Sequence, residues 1–144
     1  MSEMIVNKLT GKTSAGDIDV VSEGGNVTMQ LQQGLAKAWV NFVGTGTVSI
    51  NNSLNVASLT DNGTGDYSVS FLSSMANTNW SSQVDTNYEA LGLHSIYRAT
   101  NNSGRTKTTS QVQLSGKNYR HSVSDRNSPL DVGELMNTIN GDLA

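Results

Sequence analysis

Residues 36–71, AKAWVNFVGTGTVSINNSLNVASLTDNGTGDYSVSF, decide the fold class of this 144-residue chain. Apolar and polar residues alternate over 38–42 and again over 67–71, so each segment has one side to bury. Turn-forming residues follow at 44–46 (GTG) and 61–66 (DNGTGD), and Asn-Gly is a strong signal for a hairpin turn. The pattern therefore predicts antiparallel β-strands joined by tight turns.

Outward from this stretch, further candidate strands at 90–99 and 106–114 flank NNSGR, which suits a tight hairpin. Strands at this spacing are typical of an antiparallel sandwich or barrel. We predict an all-β fold: an antiparallel, jelly-roll-like β-sandwich over 36–127, with an extended N-terminal arm over 1–35 and a short C-terminal helix over 128–144.

The composition favours surface display over chemistry, because 63 residues are Ser, Thr, Asn or Gly and only 15% are charged. The absence of cysteine excludes disulfides and Cys-ligated zinc. No apolar run is long enough for a membrane span, and the N-terminus has no apolar segment of the kind found in signal peptides. A net charge of −3 gives no general attraction to nucleic acid.

The N-terminal arm contains short candidate strands around 4–9, 17–21 and 27–31, with turn-forming TGKTSAG and SEGG between them. Its large apolar side chains are too few to form a core. We expect the arm to dock on a partner or on copies of itself.

The C-terminal segment has the signature of a helix start, because Ser128 can cap free backbone N–H groups and Pro129 fits the first turn. Apolar residues then follow at spacings of four, three and four: Val132, Met136, Ile139 and Leu143. Such a narrow stripe suits a seam between copies, or an anchor, better than a globular core. We predict that these four residues form an oligomer interface.

No pattern in the chain predicts catalysis, a cofactor or a metal site. The acidic turn at 61–66 lacks the further ligands of a calcium loop, and the GTG triplets lack the residues of a phosphate loop. His94 and His121 are the only histidines, and no GxSxG motif is present. We expect a non-enzymatic protein.

Recognition of a surface glycan is predicted from aromatic and basic residues. Trp39 lies in a strand and is expected to pack, whereas Trp80 lies in a polar segment, for which both stacking on a sugar and simple packing stay open. Six of the nine Lys and Arg residues fall within 98–126, which is typical of a solvated hairpin face and could also bind an acidic glycan, a lipopolysaccharide phosphate or a neighbouring acidic subunit. The candidate recognition residues are Trp80, Tyr97, Arg98, Arg105 and Lys107.

The segment 34–72 closely resembles a stretch common in virion proteins of tailed phages, many of them phages of marine bacteria and cyanobacteria. The shared pattern is AWVNF, GTGT and DNGTGDY, followed by spaced Val and Phe. The ends of the chain, LTGKTSAGDI at 9–18 and GDLA at 141–144, resemble those proteins too. No motif in 75–128 extends the resemblance.

The resemblance implies a β-rich, homotrimeric structural module located in the virion, in contact with other virion proteins of the tail, neck or capsid. A short tail-fibre or appendage subunit that aids host adsorption is the leading hypothesis. The alternatives are a capsid decoration protein and, from another class, an adhesin that binds a host surface glycan. A depolymerase does not fit, because the chain is short and has no acid pair outside its turns.

Overall fold

The computed structural model describes the backbone of seven stretches: 5–11, 18–21, 24–25, 28–86, 94–95, 107–119 and 128–144. Tyr97, Arg98 and Arg105 lie outside them. Every regular element in the described stretches is a β-strand, and all strand pairs are antiparallel. The all-β, antiparallel prediction is confirmed. The chain divides into two compact units, 1–35 and 36–144.

In its described residues, the first unit contains one hairpin, in which β1 (Asp19–Val21) pairs with β2 (Thr28–Gln30). A bond from the Leu31 amide to the Ile18 carbonyl, at 2.7 Å, continues the pairing beyond the strands. All six strand residues are exposed. The hairpin therefore has no buried side.

The second unit consists of three antiparallel sheets in the described residues. Its strands are β3 (Ala38–Val43), β4 (Ser49–Leu54), β5 (Val56–Gly63), β6 (Asp66–Phe71), β7 (Ser81–Thr86), β8 (His94–Ser95), β9 (Gln111–Ser115), β10 (Lys117–Tyr119), β11 (Ser128–Pro129) and β12 (Leu135–Asn140). The orders are β4-β3-β12-β7, β5-β6-β9 and β11-β10-β8. The two GTG triplets connect β3 to β4 and β5 to β6, as the sequence indicates.

The four-stranded sheet and the β5-β6-β9 sheet share one hydrophobic core. Alternate residues of β3, β6, β9 and β12 point into it, and Phe42 meets Tyr67 edge to face with ring centroids 5.1 Å apart. Burial of these side chains is the main favourable contribution to folding. The arrangement is sandwich-like. The core residues are Ala38, Val40, Phe42, Tyr67, Val69, Phe71, Met75, Trp80, Val112, Leu114, Val132, Leu135 and Ile139.

The helix predicted over 128–144 is wrong. Ser128–Pro129 forms β11, and Leu135–Asn140 forms β12 between β3 and β7. The inward positions of β12 are Leu135, Asn137 and Ile139. Because polar Asn137 occupies one of them, the period of two is hidden in the sequence. The C-terminal segment therefore contributes β11 to the β11-β10-β8 sheet and β12 to the four-stranded sheet, and is not a separate helix.

Asn55 lies in the turn between β4 and β5, and its side chain binds the backbone near the start of the second unit. Its side-chain amide donates to the carbonyls of Lys37 and Ser73, both at 3.0 Å, and its oxygen accepts from the Ser73 amide at 2.7 Å. Its φ is 55°, a left-handed conformation that asparagine tolerates better than most residues. One side chain thus fixes three backbone segments.

We expect Asn55→Ala to destabilise the protein by about 2–4 kcal/mol, because it removes these bonds and puts alanine, which tolerates positive φ less well than asparagine, at this position. Asn55→Gly removes the same bonds without the backbone strain, so its cost is expected to be about 1–2 kcal/mol smaller. Urea denaturation of both variants measures the difference. Equal midpoints for the two variants would contradict a strained backbone at this position.

Candidate functional site

The four residues of the predicted helical seam do not share a surface. Val132 and Ile139 are fully buried in the core of their own chain, whereas Met136 lies on the opposite side of β12 and is 38% exposed. Leu143 bridges to Met75 near the C-terminus. The predicted interface is wrong in this form, because Val132 and Ile139 belong to the core and because residues three apart on a strand, such as Met136 and Ile139, point to opposite faces.

Trp80 is a core residue rather than a sugar platform. It is 2% exposed, its ring meets Phe71 edge to face at 5.8 Å, and its indole nitrogen donates to the Thr108 carbonyl at 3.2 Å. The Lys107 ammonium lies 4.2 Å from the ring centroid and donates to the Trp80 carbonyl. The structure thus removes Trp80 from the recognition surface predicted from the sequence and places the half-buried Lys107 against it.

The hairpin of the first unit forms one apolar surface. Val20 and Met29 are directly paired, so their side chains lie on one face, and they are 46% and 52% exposed. Seven of the twelve large hydrophobic residues found exposed in the described chain belong to this unit of 35 residues. A two-stranded hairpin without a covered face is marginally stable in water. This surface is therefore suited to a contact.

The outer face of the four-stranded sheet forms a second surface, centred on Trp39. Burial alternates along β3, with Ala38, Val40 and Phe42 inside, so Trp39 points away from the core. The register places Leu54 of β4 and Thr138 of β12 directly beside it, and residues of β7 follow beyond β12. We call these outward-facing residues the Trp39 face: Trp39, Asn41, Asn52, Leu54, Gln83, Asp85, Met136 and Thr138.

The register orders this face in two rows. Leu54, Trp39, Thr138 and Gln83 follow one another across the sheet in the first row. The second row, about 7 Å further along the strands, consists of Asn52, Asn41, Met136 and Asp85. Trp39 thus lies between Leu54 and Thr138, and the amides of Asn41, Asn52 and Gln83 lie further out on the same face.

A hydrogen-bonded chain fixes the amide of Asn41 next to Trp39. Asn51 donates to the Asn41 oxygen at 2.8 Å, and the Asn41 nitrogen donates to Glu134 Oε1 at 2.7 Å. Asn51 is the additional residue of a bulge in β4, where the register with β3 shifts. The bulge therefore positions the side-chain amide of Asn51 to donate its hydrogen bond to Asn41 on the outer face.

The charges of this surface are negative. Asp85 belongs to the Trp39 face and Glu134 binds to its Asn41, whereas none of the strands β3, β4, β7 and β12 contains Lys or Arg. Lys37, directly before β3, is buried. The strands therefore offer no cation for an anionic ligand.

The alternation over 38–42 carries a signal for this surface. Trp39 and Asn41 share a parity opposite to Ala38, Val40 and Phe42, which form an adequate apolar side by themselves. That alternation places Trp39 outside. Trp39 is half-buried on this face and lies outside the core.

Among the described residues, no group of three or more His, Cys, Asp or Glu side chains could hold a metal ion. A helix that could cross a membrane is likewise absent from this part of the chain. Comparison with known proteins gave no match: no family model, no curated protein and no solved structure is significantly similar to this chain.

The opposite environments of the two tryptophans give a testable difference. We expect acrylamide to quench part of the emission of the wild-type protein and to quench Trp39→Phe much less, because the remaining Trp80 is 2% exposed. The emission maximum of Trp39→Phe should also lie at shorter wavelength. Steady-state quenching in native buffer measures both. Identical quenching of the two proteins would contradict the outward position of Trp39.

Proposed function

We propose that the chain is a structural, non-enzymatic subunit of a phage particle that assembles with copies of itself through its N-terminal hairpin. The observation that carries the proposal is the hairpin with six exposed strand residues and an apolar Val20–Met29 pair. Ordering such a hairpin costs conformational entropy that its own contacts do not repay. Burial against other copies would supply the missing free energy.

The second unit would be the displayed part of the assembly, with a jelly-roll-like sandwich topology. Two antiparallel sheets around one core support this, since such a unit obtains its stability from its own core. Its turns and outer strands are rich in Ser, Thr and Asn, which remain solvated at low net charge. The second unit has its own core and the hairpin has none. This difference fits a subunit in which one part is displayed and the other part mediates assembly.

A homotrimer is the assembly we favour. The resemblance of 34–72 to phage virion proteins supports this number, and closed rotational symmetry limits the growth of an assembly formed through one surface. In the virion, the subunit would contact other structural proteins of the tail, neck or capsid. We favour a short tail-fibre or appendage, with capsid decoration as the alternative.

The number of copies per virion distinguishes an appendage from a capsid decoration protein. Quantitative mass spectrometry of purified virions would give tens of copies for an appendage and hundreds for a decoration protein. Immunogold labelling gives the location independently. Absence of the chain from purified particles would contradict both.

The hairpin surface can be tested in solution. We expect the double variant Val20→Asp/Met29→Asp to lower the mass from three chains to one, because two unpaired charges would be buried in the contact. Thr28→Asp is the matched control, since Thr28 pairs with Val21 and so lies on the other side of the hairpin. It should retain the wild-type mass. Light scattering coupled to size exclusion measures all three proteins.

Two results would contradict this proposal. One is a wild-type chain that is monomeric at high concentration, and the other is a double variant with unchanged mass. Circular dichroism of the double variant should retain the β signal of the second unit, which separates loss of contact from unfolding.

A further inference from the structure

We propose that the Trp39 face is a binding site for a neutral carbohydrate chain. This site lies on the second unit, uses none of the hairpin residues and does not depend on self-association. It also differs from the recognition surface predicted from the sequence, since Trp80 is buried and Lys107 is bound to it.

The first step of the argument is the aromatic ring. Trp39 points out of the sheet, away from the hydrophobic core, and lies beside Leu54 and Thr138 in the register. A partly exposed indole offers a flat apolar surface and an N–H donor at its edge. One face of a pyranose ring carries mainly C–H groups, and it can stack on such a surface while its hydroxyls point sideways.

The second step is the hydrogen-bonding capacity around the ring. Gln83 lies in the row of Trp39, and Asn41 and Asn52 lie in the next row. An amide provides donors and acceptors together, which matches a sugar hydroxyl that both donates and accepts. Asn41 is held from both sides by Asn51 and Glu134, so its orientation is set before a ligand arrives.

The third step is the charge, which selects among carbohydrates. Asp85 and Glu134 give the surface a negative potential, and the four strands contain no Lys or Arg to offset it. Uronates, sialylated glycans and phosphorylated glycans would be repelled. A neutral chain is not repelled, and the carboxylates can accept bonds from its hydroxyls.

The fourth step concerns the length of the ligand. Four strands lie side by side at ~4.8 Å, so the face is about 14 Å wide across the sheet. This width fits several sugar units better than one. A second copy of the chain is a weaker occupant, because protein interfaces are depleted of Asp and Glu at their centre.

The test uses the two tryptophans, the only ones in the chain. Cellohexaose, maltohexaose, mannohexaose and chitohexaose serve as neutral probes, and an alginate hexamer serves as the anionic probe. We expect at least one neutral probe to change the emission of the wild-type protein in a saturable way, and the alginate hexamer to cause no change. In Trp39→Phe, whose remaining reporter is buried, the change should vanish.

Calorimetry with the responding probe measures affinity without relying on fluorescence. Trp39→Ala is expected to weaken binding about tenfold or more, and Asn41→Ala to weaken it several-fold. Ile50→Ala is the matched control on β4, since Ile50 pairs with Phe42 and therefore lies off this face. The hairpin variant Val20→Asp/Met29→Asp should bind as the wild type does, so a failure of self-association leaves this result intact.

Three results would overturn the proposal. The first is the absence of any response to all four neutral probes at about 5 mM, a concentration that detects millimolar affinity. The second is tighter binding of the alginate hexamer than of the neutral probes. The third is a change of molecular mass in Trp39→Ala with unaltered saccharide binding, which would identify the face as a contact between copies.

Discussion

The hydroxyl of Tyr67 joins the two sheets of the sandwich-like unit, and the rest of this unit depends on that junction. The oxygen lies 2.7 Å from the Gly44 carbonyl and 2.8 Å from Asp131 Oδ1, and its hydrogen can serve either acceptor. Asp131 Oδ1 also accepts from the Gly65 amide at 2.6 Å. Since Tyr67 is fully buried, each of these polar groups would be costly without its partners.

This junction explains why the turns beside it contain glycine. A Cβ at Gly44 would lie 2.6 Å from the Tyr67 hydroxyl oxygen. A Cβ at Gly65, whose φ is 63°, would lie 2.5 Å from the Gly116 carbonyl. The two triplets could be recognised as hairpin turns from sequence alone. Their second role is to allow close approach to the buried tyrosine and to the Gly116 carbonyl. This role cannot be predicted without knowing which strands meet in space.

The same distinction separates what the sequence predicts from what it does not. Segments with clean alternation, such as 38–42 and 67–71, predict their strands correctly because the period depends only on local geometry. The sequence pattern did not predict β12, because Asn137 points inward. Its side-chain amide is held there by hydrogen bonds to Ser82 Oγ and the Gln83 carbonyl. Those partners are more than fifty residues away in the sequence, so no local pattern predicts them.

The two tryptophans show why exposure cannot be read from the surrounding composition. Trp80 has polar neighbours in sequence, yet Phe71 and Lys107 enclose it in space. Trp39 has apolar neighbours in sequence, yet their side chains turn to the other face of the sheet. An aromatic side chain in a polar segment can therefore be buried, and one in an apolar strand can face outward. In this protein the apolar hairpin surface suits contact with copies, whereas the amide-lined Trp39 face suits a hydroxylated ligand, so assembly and recognition would use chemically distinct surfaces.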